Sequence, residues 1–117
     1  MTNTIKYNLL NWGCDVETAL NRFLNDETLY LECLKMLIDD ETFEKLGESI
    51  RNNDISLAFD CSHTLKGVIS NLEITPMLKI VIEILEPLRR GESQGLSNKY
   101  DLLIDSRDIL KRIVYSK

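Results

Sequence analysis

The sequence is poor in several residue types: one histidine, one tryptophan, two prolines and three cysteines in 117 residues, with no long apolar run. Each scarcity excludes something. No stretch approaches the roughly 20 apolar residues that a bilayer-spanning helix needs. Met1–Asn8 is polar, carries one lysine and has no secretory-signal pattern. Cys14, Cys33 and Cys61 are odd in number, widely spaced and form no CxxC pair, and a single histidine adds too little for a zinc site. They read as free thiols in a reducing cytoplasm, with Cys33 and Cys61 as small hydrophobes in helical stripes. Lysine and arginine, 14 in all, are outnumbered by 19 acidic residues; the net charge is -5 and the pI about 4.9. A duplex-DNA binder shows the opposite balance. The expectation is a cytoplasmic protein with no nucleic-acid or membrane partner, no metal and no cofactor.

What is present is helical. Hydrophobic residues make up 44% and charged residues 28%, the balance of a folded domain rather than a disordered chain. One domain over residues 1–117 is expected, with no repeat, low-complexity segment or interdomain linker. The absence of a trailing linker points to a free-standing protein. Apolar residues recur at helical spacing, and no run shows the strict alternation of a half-buried strand. Asp15 opens a short first helix with a stripe of Val16, Leu20, Phe23 and Leu24, broken by Asn25-Asp26. A second helix runs from about Glu27 to Asn52, with Asp39-Asp40-Glu41-Thr42 as a bend or split. Asp54 caps a third helix from about Ile55 to Leu72. Thr75 as N-cap and Pro76 at the first position start a fourth, which reaches about Arg90 with a bend or early end at Pro87. Gly91–Asn98 is a loop, and a fifth helix covers about Lys99 to Val114. Long helices joined by short turns predict an all-α, up-down antiparallel four-helix bundle with a short additional N-terminal helix. On the fourth helix, Met77, Ile80 and Ile84 fall off the main stripe of Leu78, Val81, Ile82, Leu85 and Leu88. Burial against another helix is the preferred explanation, with a docking patch or dimer seam as the minority one.

The third helix carries the only histidine. At about 3.6 residues per turn, Ala58, Ser62, Leu65, Ile69 and Leu72 share a core stripe that Cys61 and Val68 widen. His63 points roughly 140° away from its centre and is predicted to be exposed. Phe59, Lys66, Gly67 and Ser70 share its side. A glycine inside a helix costs about 1 kcal/mol against alanine. Gly67 is the neighbour of His63 one turn along, so it clears space beside the imidazole. Lys66 brings an ammonium to the same space. Histidine acts as a nucleophile, and with an ordinary pKa of about 6.5 it offers a neutral ring nitrogen at neutral pH. A nearby cation stabilises charge on transferring phosphoryl oxygens. Phe59, one turn earlier and expected to face solvent, and Ser70 would serve partner docking. Plain readings also exist: a polar surface histidine, a glycine for close helix packing, and an ordinary solvated lysine.

Ser62-His63-Thr64-Leu65-Lys66-Gly67-Val68, followed by Ser70-Asn71-Leu72, resembles the signature of histidine phosphotransfer (HPt) domains. That signature reads Ala/Ser-His-x-Leu-Lys-Gly, then a small residue and Asn-Leu-Gly. Val16–Phe23 is similar to the family's opening helix and Tyr30–Lys35 to its second, so the resemblance spans roughly Gly13 to Arg90. It implies a helical bundle whose histidine takes a phosphoryl group from a receiver-domain aspartyl phosphate and passes it to another receiver aspartate. His63 would be the acceptor, Lys66 the stabilising cation and Gly67 the clearance, with Asn71 structural near the helix end. The implied partners are receiver domains of response regulators or hybrid histidine kinases, and a monomer is favoured. No P-loop, kinase Gly-rich loop or ATP-binding lobe is present, so a phosphoryl carrier without kinase activity is expected.

Two positions depart from the pattern. Glu73 stands where many members have glycine. Where members often place a glutamine or basic residue on the next helix to orient the imidazole, this chain offers Lys79, Glu83, Glu86, Arg89 and Arg90. A carboxylate among these would suit a hydrogen bond to the non-reacting ring nitrogen. The rival readings are a pseudo-phosphotransfer binding module that exchanges no phosphoryl group, and a structural helical bundle in which His63 is incidental.

Overall fold

The computed structural model describes residues 1–116, which form seven helices and no strand. The first, α1 (Asn3–Trp12), is not anticipated by the sequence reading, which has one short helix before the long ones. It is set by short-range chemistry: the Thr2 hydroxyl accepts from the Ile5 N–H at 3.2 Å, and Gly13, at φ 113°, closes it in the left-handed region. Only Ile5 and Leu9 of its residues are buried, too sparse a stripe to stand out in a polar segment.

Helix α2 (Val16–Arg22) starts as expected at Asp15, whose carboxylate accepts from the Thr18 N–H at 3.2 Å and the Thr18 hydroxyl at 2.7 Å. It ends earlier than its apolar pattern suggests. Leu24 and Asn25 turn into the left-handed region at φ 53° and 62°. Leu24, expected in the apolar stripe, is 89% exposed for that reason.

The predicted second helix is two helices, α3 (Glu27–Ile38) and α4 (Thr42–Arg51). The split falls at the acidic stretch, where the Asp40 carboxylate takes the Thr42 N–H at 2.8 Å instead of letting the α3 ladder continue. Asp54 accepts from the Leu57 N–H at 3.1 Å and caps α5 (Ile55–Asn71). Helix α6 (Thr75–Arg89) begins with Pro76 in its first turn, and Ile74 rather than Thr75 is the N-cap. Pro87 lies inside its last turn without stopping it there; the helix continues to Arg89. Helix α7 (Leu96–Val114) starts three residues before the expected Lys99, with Gly95 in the left-handed region.

Helix α5 packs chiefly between α4 and α6, α6 also meets α7, and α7 reaches α1, α3 and α4. The result is all-helical and consistent with a helical bundle, but with two short N-terminal helices rather than one and a divided second helix. Tyr30, Phe43, Leu34, Leu46, Leu65, Ile69 and Leu85 are fully enclosed. Each such side chain contributes about 1.5–3 kcal/mol by burial. An exposed ion pair such as Lys99–Glu83, at 3.1 Å, contributes about 0–1 kcal/mol, so the core holds the fold. Met77 and Ile84 are buried with Val81, Leu85 and Leu88, as the burial reading of α6 requires, while Leu78, Ile80 and Ile82 are half-buried. The Tyr30 hydroxyl, buried, donates to the Leu72 carbonyl at 2.9 Å and ties α3 to the end of α5.

Candidate functional site

The core face of α5 determines where everything else on that helix points. Ala58, Cys61, Ser62, Leu65, Ile69 and Leu72 are all buried, and the Ser62 hydroxyl is satisfied within the helix by the Phe59 carbonyl at 3.0 Å. The opposite face is therefore the solvent face, and His63 is exposed on it, mid-helix.

Its neighbours differ in part from expectation. Phe59 is half-buried and packed against the core rather than solvent-facing. Its ring stacks with the His63 imidazole, centroids 5.9 Å apart and planes within 11°. The guanidinium carbon of Arg89, from α6, lies over the Phe59 ring at 5.5 Å. The wheel places Phe59 on the His63 side of α5 but cannot show that α6 leans over it. Lys66 is half-buried and, among the described residues, enters no ion pair. Ser70 is half-buried two turns beyond His63.

Gly67 is exposed, and a Cβ built on it would meet nothing within 4 Å. That removes the close-packing explanation: no helix approaches it. The space one turn from His63 is open because this residue is glycine and because no other part of the chain fills it.

Of the other charged candidates on or next to α6, Lys79 is exposed and enters no ion pair among the described residues, and the rest are paired. Glu83 pairs with Lys99 at 3.1 Å, Glu86 with Arg89 at 3.5 Å, and Arg90 with Glu92 at 3.2 Å. No carboxylate pairs with the imidazole among the described residues, so neither Glu83 nor Glu86 takes the orienting role that a carboxylate there would suit. Arg89 of α6 joins this arrangement through Phe59, which stands between it and His63 in the chain of contacts.

Beyond Ser70 the helix end is built by the turn that follows it and by one residue of α2, Arg22. Glu73 adopts φ 56°, the left-handed position where glycine is usual, at a cost of roughly 1–2 kcal/mol. Its N–H bonds the Ser70 carbonyl at 3.1 Å and the Ile74 N–H bonds the Ile69 carbonyl at 3.3 Å, which terminates α5. Arg22 donates to the Ser70 and Asn71 carbonyls at 3.2 and 3.3 Å and pairs with the Glu73 carboxylate. Glu73 in place of glycine thus changes what secures the helix end and leaves the His63 face untouched. Arg22 went unnoticed in the sequence because its partners lie about 50 residues away.

A surface groove of about 430 Å³ lies between α3 and α5 and is lined by Phe23, Cys33, Met36, Leu37, Val68 and Leu72. It does not include His63. No group of three or more His, Cys, Asp or Glu among the described residues could hold a metal ion, and no helix is long and apolar enough to cross a membrane. His63 is thus exposed on its helix and lies outside this groove. No protein-family model, curated protein or solved structure matches the chain significantly.

Proposed function

We propose that the protein is an HPt-type phosphorelay intermediate, a phosphoryl carrier with no kinase activity of its own. The observation that carries this reading is the exposed His63 imidazole beside Gly67, where a side chain would fit the fold yet none is present. The helix forgoes about 1 kcal/mol there with no packing gained in return. The clearance has a use only for a body from outside.

In the proposed step, a neutral ring nitrogen of His63 attacks the phosphorus of a receiver's aspartyl phosphate. The nitrogen lone pair forms the N–P bond as the P–O bond to the carboxylate breaks, and that bond's electron pair leaves with the carboxylate. The other ring nitrogen keeps its proton. Lys66, at i+3, offsets charge on the three phosphoryl oxygens in flight. The reverse step onto a second receiver aspartate completes the relay. The receiver domains of response regulators or hybrid histidine kinases are the proposed partners and supply any metal. In the finer architecture we propose, α3 with α4, then α5, α6 and α7, run up and down as the four antiparallel members of one bundle. The proposed setting is the cytoplasm and the proposed state a monomer.

The test is incubation with several phosphorylated receiver domains. His63 should acquire an acid-labile, base-stable phosphate, and His63→Gln should abolish it. A chain that binds receivers without ever acquiring phosphate would instead be a binding module.

A further inference from the structure

A reactive imidazole is ordinarily aimed by a hydrogen bond to its non-reacting nitrogen, which also fixes its tautomer. His63 lacks a carboxylate partner among the described residues and has an aromatic ring instead. The 5.9 Å separation and near-parallel planes lie within the range of offset aromatic stacking. The pair is set by the helix itself, since residues four apart on one helix are neighbours. Phe59 is in turn held from below by the core and from α6 by the Arg89 guanidinium, which Glu86 pairs. An exposed histidine on a helix would otherwise exchange among its staggered rotamers. Stacked on an anchored ring, it need not.

We propose that Phe59 is the positioning residue of His63: it aims the imidazole by stacking and leaves both ring nitrogens open to solvent. A hydrogen-bonded imidazole is committed to one tautomer. A stacked one is oriented without that commitment, so the nitrogen that meets an incoming phosphoryl group is not chosen in advance by this chain. The kinetic part of this inference rests on the phosphoacceptor reading; the orientation of the ring does not.

The experiment compares the full chain with Phe59→Leu and Phe59→Tyr. It uses NMR of the unphosphorylated His63 ring, together with rates of phosphate transfer from a phosphorylated receiver. Leucine keeps an apolar contact with the core but no ring; tyrosine keeps the ring. In the wild type, the His63 ring protons should carry a ring-current shift, and the two ring nitrogens should report a mixture of tautomers. Phe59→Leu should move the ring protons to the positions of a solvated histidine and slow transfer roughly two- to tenfold, the equivalent of one aromatic pair. Phe59→Tyr should preserve both. Wild-type ring-proton positions in Phe59→Leu, or a single locked tautomer in the wild type, would overturn the proposal. Ring-proton shifts that collapse as expected, in a chain that accepts no phosphate from any receiver, would sustain the positioning role and remove the phosphoacceptor reading alone.

Discussion

Two glycines lie within helices of this protein, and their surroundings are opposite. Gly47 on α4 is buried, and a Cβ built there would stand 2.5 Å from the Tyr100 ring of α7. That ring is fixed by its hydroxyl, which donates to the Phe43 carbonyl at 2.9 Å. Beside it Arg107 lies over the Phe43 ring at 4.9 Å and pairs with Glu44. Gly67 on α5 is exposed and faces nothing. Each forgoes about 1 kcal/mol of helix propensity against alanine. At Gly47 the gain is internal, a close approach of two helices around a tyrosine. At Gly67 no gain appears within the chain. The same residue type serves assembly of the fold at one place and, on our reading, contact with another molecule at the other.

The sharpest way to break this comparison is to add one methyl group at each place. Gly47→Ala should lower the unfolding free energy by about 1–3 kcal/mol, because the Tyr100 ring must be pushed aside. Urea denaturation measures it, and a midpoint that rises would mean that the two glycines are alike. Gly67→Ala should do the reverse and raise stability by up to about 1 kcal/mol. It should at the same time slow phosphate transfer from a receiver to His63, and the unchanged transfer rate of a stabilised variant would deprive Gly67 of its proposed role. The smallest effect sharpens the internal side alone. Burial holds the Tyr100 hydroxyl above its ordinary pKa. The neutral form is thus favoured in the fold, and the stability it confers is complete below the unfolded value, about 10. That stability falls as pH rises through and beyond this value. Tyr100→Phe should be less stable than the wild type near neutrality by about 0.5–1.5 kcal/mol for the lost hydrogen bond, and the gap should narrow in alkaline solution. A gap independent of pH would detach the hydroxyl from the seam.

Much of α5 was legible in the sequence. An Asp54 cap, a core stripe at helical spacing and a break after Leu72 are local signals, and the exposure of His63 follows from the stripe alone. The break at Asp39-Asp40 was legible for the same reason, as was the burial of Met77 and Ile84. What escaped depends on a second element. Leu24 fits an apolar stripe but lies past the point where α2 turns left-handed. Helix α1 has caps at Thr2 and Gly13 that would have marked it, but its two core residues give too weak a period. Phe59 falls on the correct side of the wheel, whereas its stack with His63 and the cover from Arg89 belong to the packing of α6. The apolar stripes place Gly47 on the Phe43 and Leu46 side of α4 and Gly67 on the side of α5 away from its core, but the close approach at Gly47 is made by Tyr100, more than fifty positions away.

The Arg22 contacts have a consequence for how the chain divides. A helix end is ordinarily finished by residues that follow it, but the last carbonyls of α5 are met by a donor 48 and 49 positions earlier. A cut in the turn after Arg22 would yield two fragments. The larger would keep Phe59, His63, Lys66, Gly67 and Arg89, and still lack the side chain that completes α5. In the terms of fragment complementation, α1 and α2 are the piece to be added back: Ile5, Leu9, Val16, Ala19 and Leu20 supply its buried contacts, and Arg22 supplies the donor that closes α5.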